Sequence, residues 1–158
     1  MHHRFLLLSL SALALFLSAC GKKSSDHAPA PDAHTHAHVH RAPHGGTLVP
    51  LGDHQFNLEF VHDAATGKLT AYLLDAHAEN FIRSPLAAID LVIDRAGTPT
   101  PLSLVAVANA ATGETVGNTA EFAAEAEWLK TAGPLQLTIP VLMFRNATFT
   151  NIAARLER

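Results

Sequence analysis

The chain has 158 residues, 48% of them hydrophobic and 16% charged, and its 11 Lys and Arg stand against 14 Asp and Glu for a formal charge of −3. That length suits one domain or two small ones, the lack of a basic footprint excludes nucleic acid as an expected partner, and the apolar content excludes global disorder. Eleven His accompany a single Cys, which forms no internal disulfide.

Residues 1–20 read MHHRFLLLSLSALALFLSAC, with Arg4 as a positive n-region and Phe5 to Leu17 as an apolar stretch too short for a comfortable membrane span. The end of this segment, Leu17-Ser18-Ala19-Cys20, resembles the lipobox of bacterial lipoproteins. The resemblance implies a signal peptide over 1–19, cleavage before Cys20 and a lipid on the Cys20 thiol. Gly21 does not resemble the Asp that retains lipoproteins at the inner membrane, so a Gram-negative source implies an outer-membrane anchor facing the periplasm.

Residues 20–43 read as a lipidated, flexible tether without apolar periodicity and with Pro29, Pro31 and Pro43. His34, His36, His38 and His40 alternate within it, and His27 and His44 bring the total to six histidines between residues 27 and 44. In an extended chain alternate side chains lie on one edge, roughly 6.6–6.8 Å apart. A flexible backbone draws two or three such imidazoles around one ion, and neutral imidazole suits Zn, Cu and Ni. Asp26 and Asp32 add oxygen donors. A solvated low-complexity spacer and a pH-sensitive brush compete with metal capture as explanations of the run. Met143 is the one Met beyond the signal, and Cys20 is acylated on this reading, so soft ligands for Cu(I) are missing. Zn(II), Cu(II) or Ni(II) on nitrogen is expected.

From His44 to Arg158 short alternating apolar runs separated by turns predict strands. Thr47–Val49 comes first, then His54–Val61 with Phe56, Leu58 and Phe60 on one face and Gln55, Asn57 and Glu59 on the other. Ala64–Gly67 turns into Lys68–Asp75, and the register across that turn sets residue 54 opposite 77. Ala76–Asn80 reads as a loop, Phe81-Ile82 as a short edge strand, Ala88–Asp94 as a strand and Gly97–Pro101 as a turn. Leu102–Ala108 follows as a strand. Residues 119–131 read as one short helix, because Phe122, Ala126 and Leu129 lie near helical spacing. Leu135–Val141, with Pro140 marking an edge or bulge, and Thr148–Leu156 complete seven or eight strands. The predicted fold is all-β, an antiparallel β-sandwich of immunoglobulin-like size with one short helix, and a small barrel is the runner-up.

No nucleophile elbow, P-loop or dinucleotide fingerprint occurs, so neither catalytic residues nor an organic cofactor are expected. His54 and His77, as neighbours at one end of the sheet near His44, form a second candidate metal site, with two solvated loop histidines as the alternative.

Ala42-Pro43-His44-Gly45-Gly46 through Gly52-Asp53 to Glu59 resembles the "HGG … GD … E" opening of small bacterial envelope proteins and the opening strands of some periplasmic adaptor subunits of heavy-metal efflux pumps. Gly67, Tyr72 and Asp75 continue it, so it covers roughly residues 43–76. The resemblance implies a β domain tied to metal handling and an acidic position at Glu59, and it admits an envelope metal-transport or efflux component as partner. The coiled-coil hairpin and lipoyl-like segments of true adaptors are missing, so pump function is not implied. The expected protein is a lipid-anchored, non-enzymatic envelope protein that binds or buffers divalent transition metal through its tether. The competing reading is a structural or protein-interaction lipoprotein with incidental histidines.

Overall fold

Alternating apolar residues become eight strands, β1 Thr47–Leu51, β2 Phe56–Asp63, β3 Lys68–Asp75, β4 Ala88–Arg95, β5 Thr98–Ala106, β6 Glu121–Glu125, β7 Leu135–Phe144 and β8 Ala147–Leu156. They are seen in a computed structural model that describes residues 40–130 and 133–157, all within a unit that runs His38–Arg158. The expected signal peptide, Cys20, His27, His34, His36 and His38 lie outside the described residues.

The fold is all-β, as the sequence predicts. All eight strands join one antiparallel sheet in the order β1-β2-β3-β6-β5-β4-β7-β8. The sheet curls until β1 and β8 approach each other, so the sandwich-like packing is nearly that of a barrel. One core fills it, with Leu58, Phe60, Leu91, Leu104, Phe122 and Ile139 each at most 2% exposed. Burying a side chain of this kind contributes about 1.5–3 kcal/mol.

The β2–β3 hairpin has the expected register, pairing His62 with Leu69 and Phe56 with Asp75. Its turn is set by Asp63, whose carboxylate accepts from the Ala65 and Thr66 amides and the Thr66 hydroxyl. These donors, the hydroxyl first, hold the Asp63 carboxyl below its usual range.

Three local expectations are corrected. Residues 119–131 form no helix: Glu121–Glu125 is β6, followed by a 3-10 turn at Glu127–Leu129. β6 fills the gap between β3 and β5, where its backbone pairs on both sides and Phe122 is fully buried, and that context overrides the helix propensity of its alanines. The predicted turn at Gly97–Pro101 is shorter, because Ala96 and Gly97 both take left-handed backbones and β5 starts at Thr98. Pro99 and Pro101 lie in the part of β5 that has no β6 partner, since β6 pairs only with Val105 and Ala106, so no ladder bond on that side needs their missing amides. Phe81 makes a single bridge to Leu74 instead of an edge strand. The β7–β8 ladder skips Pro140 and keeps its register beyond it, opposite Asn151 with a φ of 51°.

The face of β2 that carries Asn57 and Glu59 is covered as well. Asn57 is 3% exposed and Glu59 0%. The segment before β1 folds across Glu59, and the turn after β3 folds across Asn57.

Candidate functional site

Alternation along β2 sends Leu58 and Phe60 into the core and Glu59 to the opposite face. There Glu59 lies opposite Leu48 of β1 and Tyr72 of β3, and Tyr72 in turn lies opposite Glu121 of β6. A carboxylate in this row is stable under cover only if donors converge on it. The His44-Gly45-Gly46 turn supplies them. The His44 amide donates to Glu59 Oε1 at 2.7 Å and the Gly46 amide to the same oxygen at 3.0 Å, while His44 Nδ1 donates to Oε2 at 2.9 Å.

Two glycines make this turn. Gly45 takes a φ of 74°, which glycine adopts without strain. A Cβ on Gly46 would lie 2.3 Å from the Phe60 carbonyl oxygen, so only glycine lets the chain come this close to β2. The structure thereby gives one physical reason for the co-occurrence of His44, Gly45, Gly46 and Glu59.

Because the carboxylate only accepts, a neutral His44 carries its proton on Nδ1 and presents the lone pair on Nε2. The ring stacks on Tyr72 at 4.0 Å between centroids and 20° between planes, with Phe81 at 5.5 Å. Burial pushes the Tyr72 hydroxyl above its ordinary pKa, and the negative Glu121 and Glu59 push it further. His44, Tyr72 and Phe81 line a cleft of about 560 Å³ together with Arg83, Glu114 and Glu121. Glu114 ties the loop on this side by accepting from the Thr112 hydroxyl at 2.6 Å and the Ala120 amide at 2.9 Å. The Thr112 hydroxyl is the main cause that holds the Glu114 carboxyl below its ordinary range.

The sequence-predicted histidines separate into distinct places. His54 curls into the β1–β2 turn with a φ of 55°, and His77 into the turn after β3, so neither continues the ladder that ends at Phe56 and Asp75. His77 instead meets His40, whose Nδ1 donates to the His77 carbonyl at 3.0 Å, with ring centroids 5.8 Å apart. His40, expected in the tether, thus rests on the β domain. His62 points a nitrogen the other way: its Nε2 donates to the Leu129 carbonyl at 2.7 Å and pins the 3-10 turn to β2. Among the described residues no group of three or more His, Cys, Asp or Glu side chains could hold a metal ion, so His44, His54 and His77 make no such cluster.

Sequence reasoning missed Tyr72 and Phe81 as the bed of His44, and it missed His40 as the neighbour of His77. The alternation in β3 set Tyr72 on the Glu59 face, but nothing local showed that His44 would cover it. Comparison with protein-family models, curated proteins and solved structures finds no match for this chain.

Proposed function

We propose that the protein is a lipid-anchored, non-enzymatic envelope protein that captures a divalent transition metal ion, Zn(II), Cu(II) or Ni(II), through its histidine run. One observation carries the reading. The two described histidines of the run, His40 and His44, both spend Nδ1 on an acceptor, the His77 carbonyl and the Glu59 carboxylate. Metal-ligating imidazoles are held in this way, one nitrogen on a carboxylate or carbonyl and the other open to the ion. The lipobox-like Leu17–Cys20 supports the anchor, and the alternate spacing of His34, His36, His38 and His40 supports capture of one ion by several rings.

The test is equilibrium dialysis of the intact chain in detergent against Zn(II), Cu(II) and Ni(II), beside a variant with His27, His34, His36, His38 and His40 changed to Asn. The expected result is at least one tightly held ion per chain that the variant loses. Equal uptake by both proteins would refute capture by the run.

A second reading, a protein-interaction lipoprotein, is favoured by the cleft beside His44, where Phe81 stays 49% exposed. Cross-linking from position 81 to an envelope protein, unaffected by chelator, would support it over metal capture.

A further inference from the structure

We propose that the end of the sheet at which the chain enters the β domain faces the membrane, and that the outer face of the β7–β8 hairpin lies against the lipid surface there. The proposal rests on the anchor part of the reading above, the lipid on Cys20, and adds to it the orientation of the domain and the residues that touch the bilayer.

The two ends of the sheet differ in character. Because every strand is antiparallel to its neighbours, the β1–β2, β3–β4, β5–β6 and β7–β8 connections share one end and the β2–β3, β4–β5 and β6–β7 connections share the other. Among the described residues five large hydrophobic side chains are between 49% and 66% exposed, and all five belong to the first end. Phe81 bridges Leu74, the next-to-last residue of β3. Val105 is next to last in β5, opposite Ala88 at the start of β4. Val116 lies in the β5–β6 connection, and Val141 and Met143 lie in the final half of β7. Single exposed hydrophobics scattered over a surface are ordinary, but their collection at one end marks an interaction surface.

The β7–β8 hairpin is built to present such a face. β4 pairs with β7 only from Gln136 to Thr138, so the hairpin leaves β4 beyond Pro140. Its faces exchange there: Leu135, Leu137 and Ile139 are buried before Pro140, and Leu142 and Phe144 after it. Phe144 and Phe149 meet Phe56 edge-on, with ring centroids 5.0 and 6.5 Å away, which holds the inner face of the hairpin on the core. The outer face is left with the cross-strand pairs Val141–Thr150 and Met143–Thr148, all four exposed and none charged. Arg145 at the tip lies over the Phe56 and Phe144 rings, 5.7 and 5.3 Å from their centroids. An arginine placed in this way buries its stem on apolar surface and keeps its head at the polar boundary.

Where the chain enters the domain identifies what covers this face. His40 is held at the same end by its hydrogen bond to the His77 carbonyl in the β3–β4 connection. It stands twenty residues beyond Cys20, a reach of at most about 70 Å. A lipid on Cys20 therefore tethers the domain by this end, and the resulting local concentration makes a weak contact persistent. With no charge on the outer face of the hairpin, the contact is apolar burial at the headgroup boundary rather than attraction to anionic lipid, and salt screens it little.

The test uses the intact acylated chain in phosphatidylcholine vesicles, with a polarity-sensitive fluorophore on one introduced cysteine. Met143→Cys and Val116→Cys report this end, and Ala65→Cys, exposed in the β2–β3 turn, reports the other. Expected are a blue-shifted emission and several-fold stronger quenching by brominated lipid at positions 143 and 116 than at position 65, little changed by salt. Changing Val141 and Met143 together to Asp should return the label at position 116 to its aqueous spectrum, and the melting midpoint in detergent reports that this variant is folded. Changing both to Thr, which keeps strand propensity, should weaken the quenching in the same direction. Aqueous spectra at positions 143 and 116 on vesicles that still carry the protein would overturn the proposal and leave the anchor standing. Equal quenching at positions 143 and 65 would overturn it too, because the domain would then have no preferred face. A shift that grows with the protein-to-lipid ratio would overturn it in favour of contact with a second copy of the chain. Failure of the intact chain to float with the vesicles would refute the anchor reading, and this orientation with it.

Discussion

Replacing Glu59 by glutamine keeps the volume of a fully buried side chain and removes its charge. One oxygen still accepts from the His44 and Gly46 amides, now as neutral hydrogen bonds in place of charge-assisted ones. The other position becomes an amide nitrogen facing His44 Nδ1, which reverses the 2.9 Å bond and drives the imidazole proton to Nε2. A hydrogen bond to a charged group is worth about 1.5–3 kcal/mol and a neutral one about 0.5–1.5. Across three bonds, with the desolvation of the charge relieved in part, the net loss is about 1–2 kcal/mol. For a domain of this size that lowers the melting temperature by roughly 4–8 °C. Glu59→Ala, which leaves three donors without an acceptor, should cost about 3–5 kcal/mol. Urea unfolding measures the stability, and ¹⁵N shifts of the His44 ring report which nitrogen carries the proton. If Glu59→Gln unfolds at the parental midpoint and His44 stays protonated on Nδ1, the buried carboxylate does not orient the ring and this reasoning fails.

The Gly46→Ala variant should lose about 1–3 kcal/mol, since its methyl group meets the Phe60 carbonyl and the His44 turn must lift from β2; a parental melting curve with unchanged Tyr72 fluorescence would contradict the close approach. Phe122→Ala, at the centre of the core, should cost about 3–5 kcal/mol in urea unfolding, with β6 the first segment to lose amide protection. The Glu114 carboxyl sits below its ordinary value of 4.5 in the folded chain, so its contribution is present above that value and is lost as pH falls through the lower folded one. An acid titration of stability should show a downturn below about pH 4.5 that Glu114→Gln flattens. The anchor reading expects Cys20→Ala to abolish acylation and to move the protein from the detergent phase to the aqueous phase; unchanged partitioning would reject it.

Period-two alternation located seven of the eight strands, because the side-chain face of a strand is a local property of the backbone. The turn at Ala64–Gly67 set the β2–β3 register, since a short hairpin loop leaves the pairing little freedom, and that register is the observed one. Glu59 was singled out only through the resemblance carried by His44-Gly45-Gly46 and Gly52-Asp53, not by any periodicity. Local pattern failed wherever a distant segment decided the outcome. The alanine-rich 119–131 stretch carries helix propensity, yet two open strand edges claim its backbone. Asn57 and Glu59 alternate like solvated residues, yet residues 44–46 and the Asp75–Asn80 turn close over them. The His40–His77 pair spans 37 residues and follows from no periodicity. Which residues face outward is written within a few positions of the chain. What comes to lie upon that outward face depends on where the closed sheet brings remote segments, and only the tertiary structure decides it.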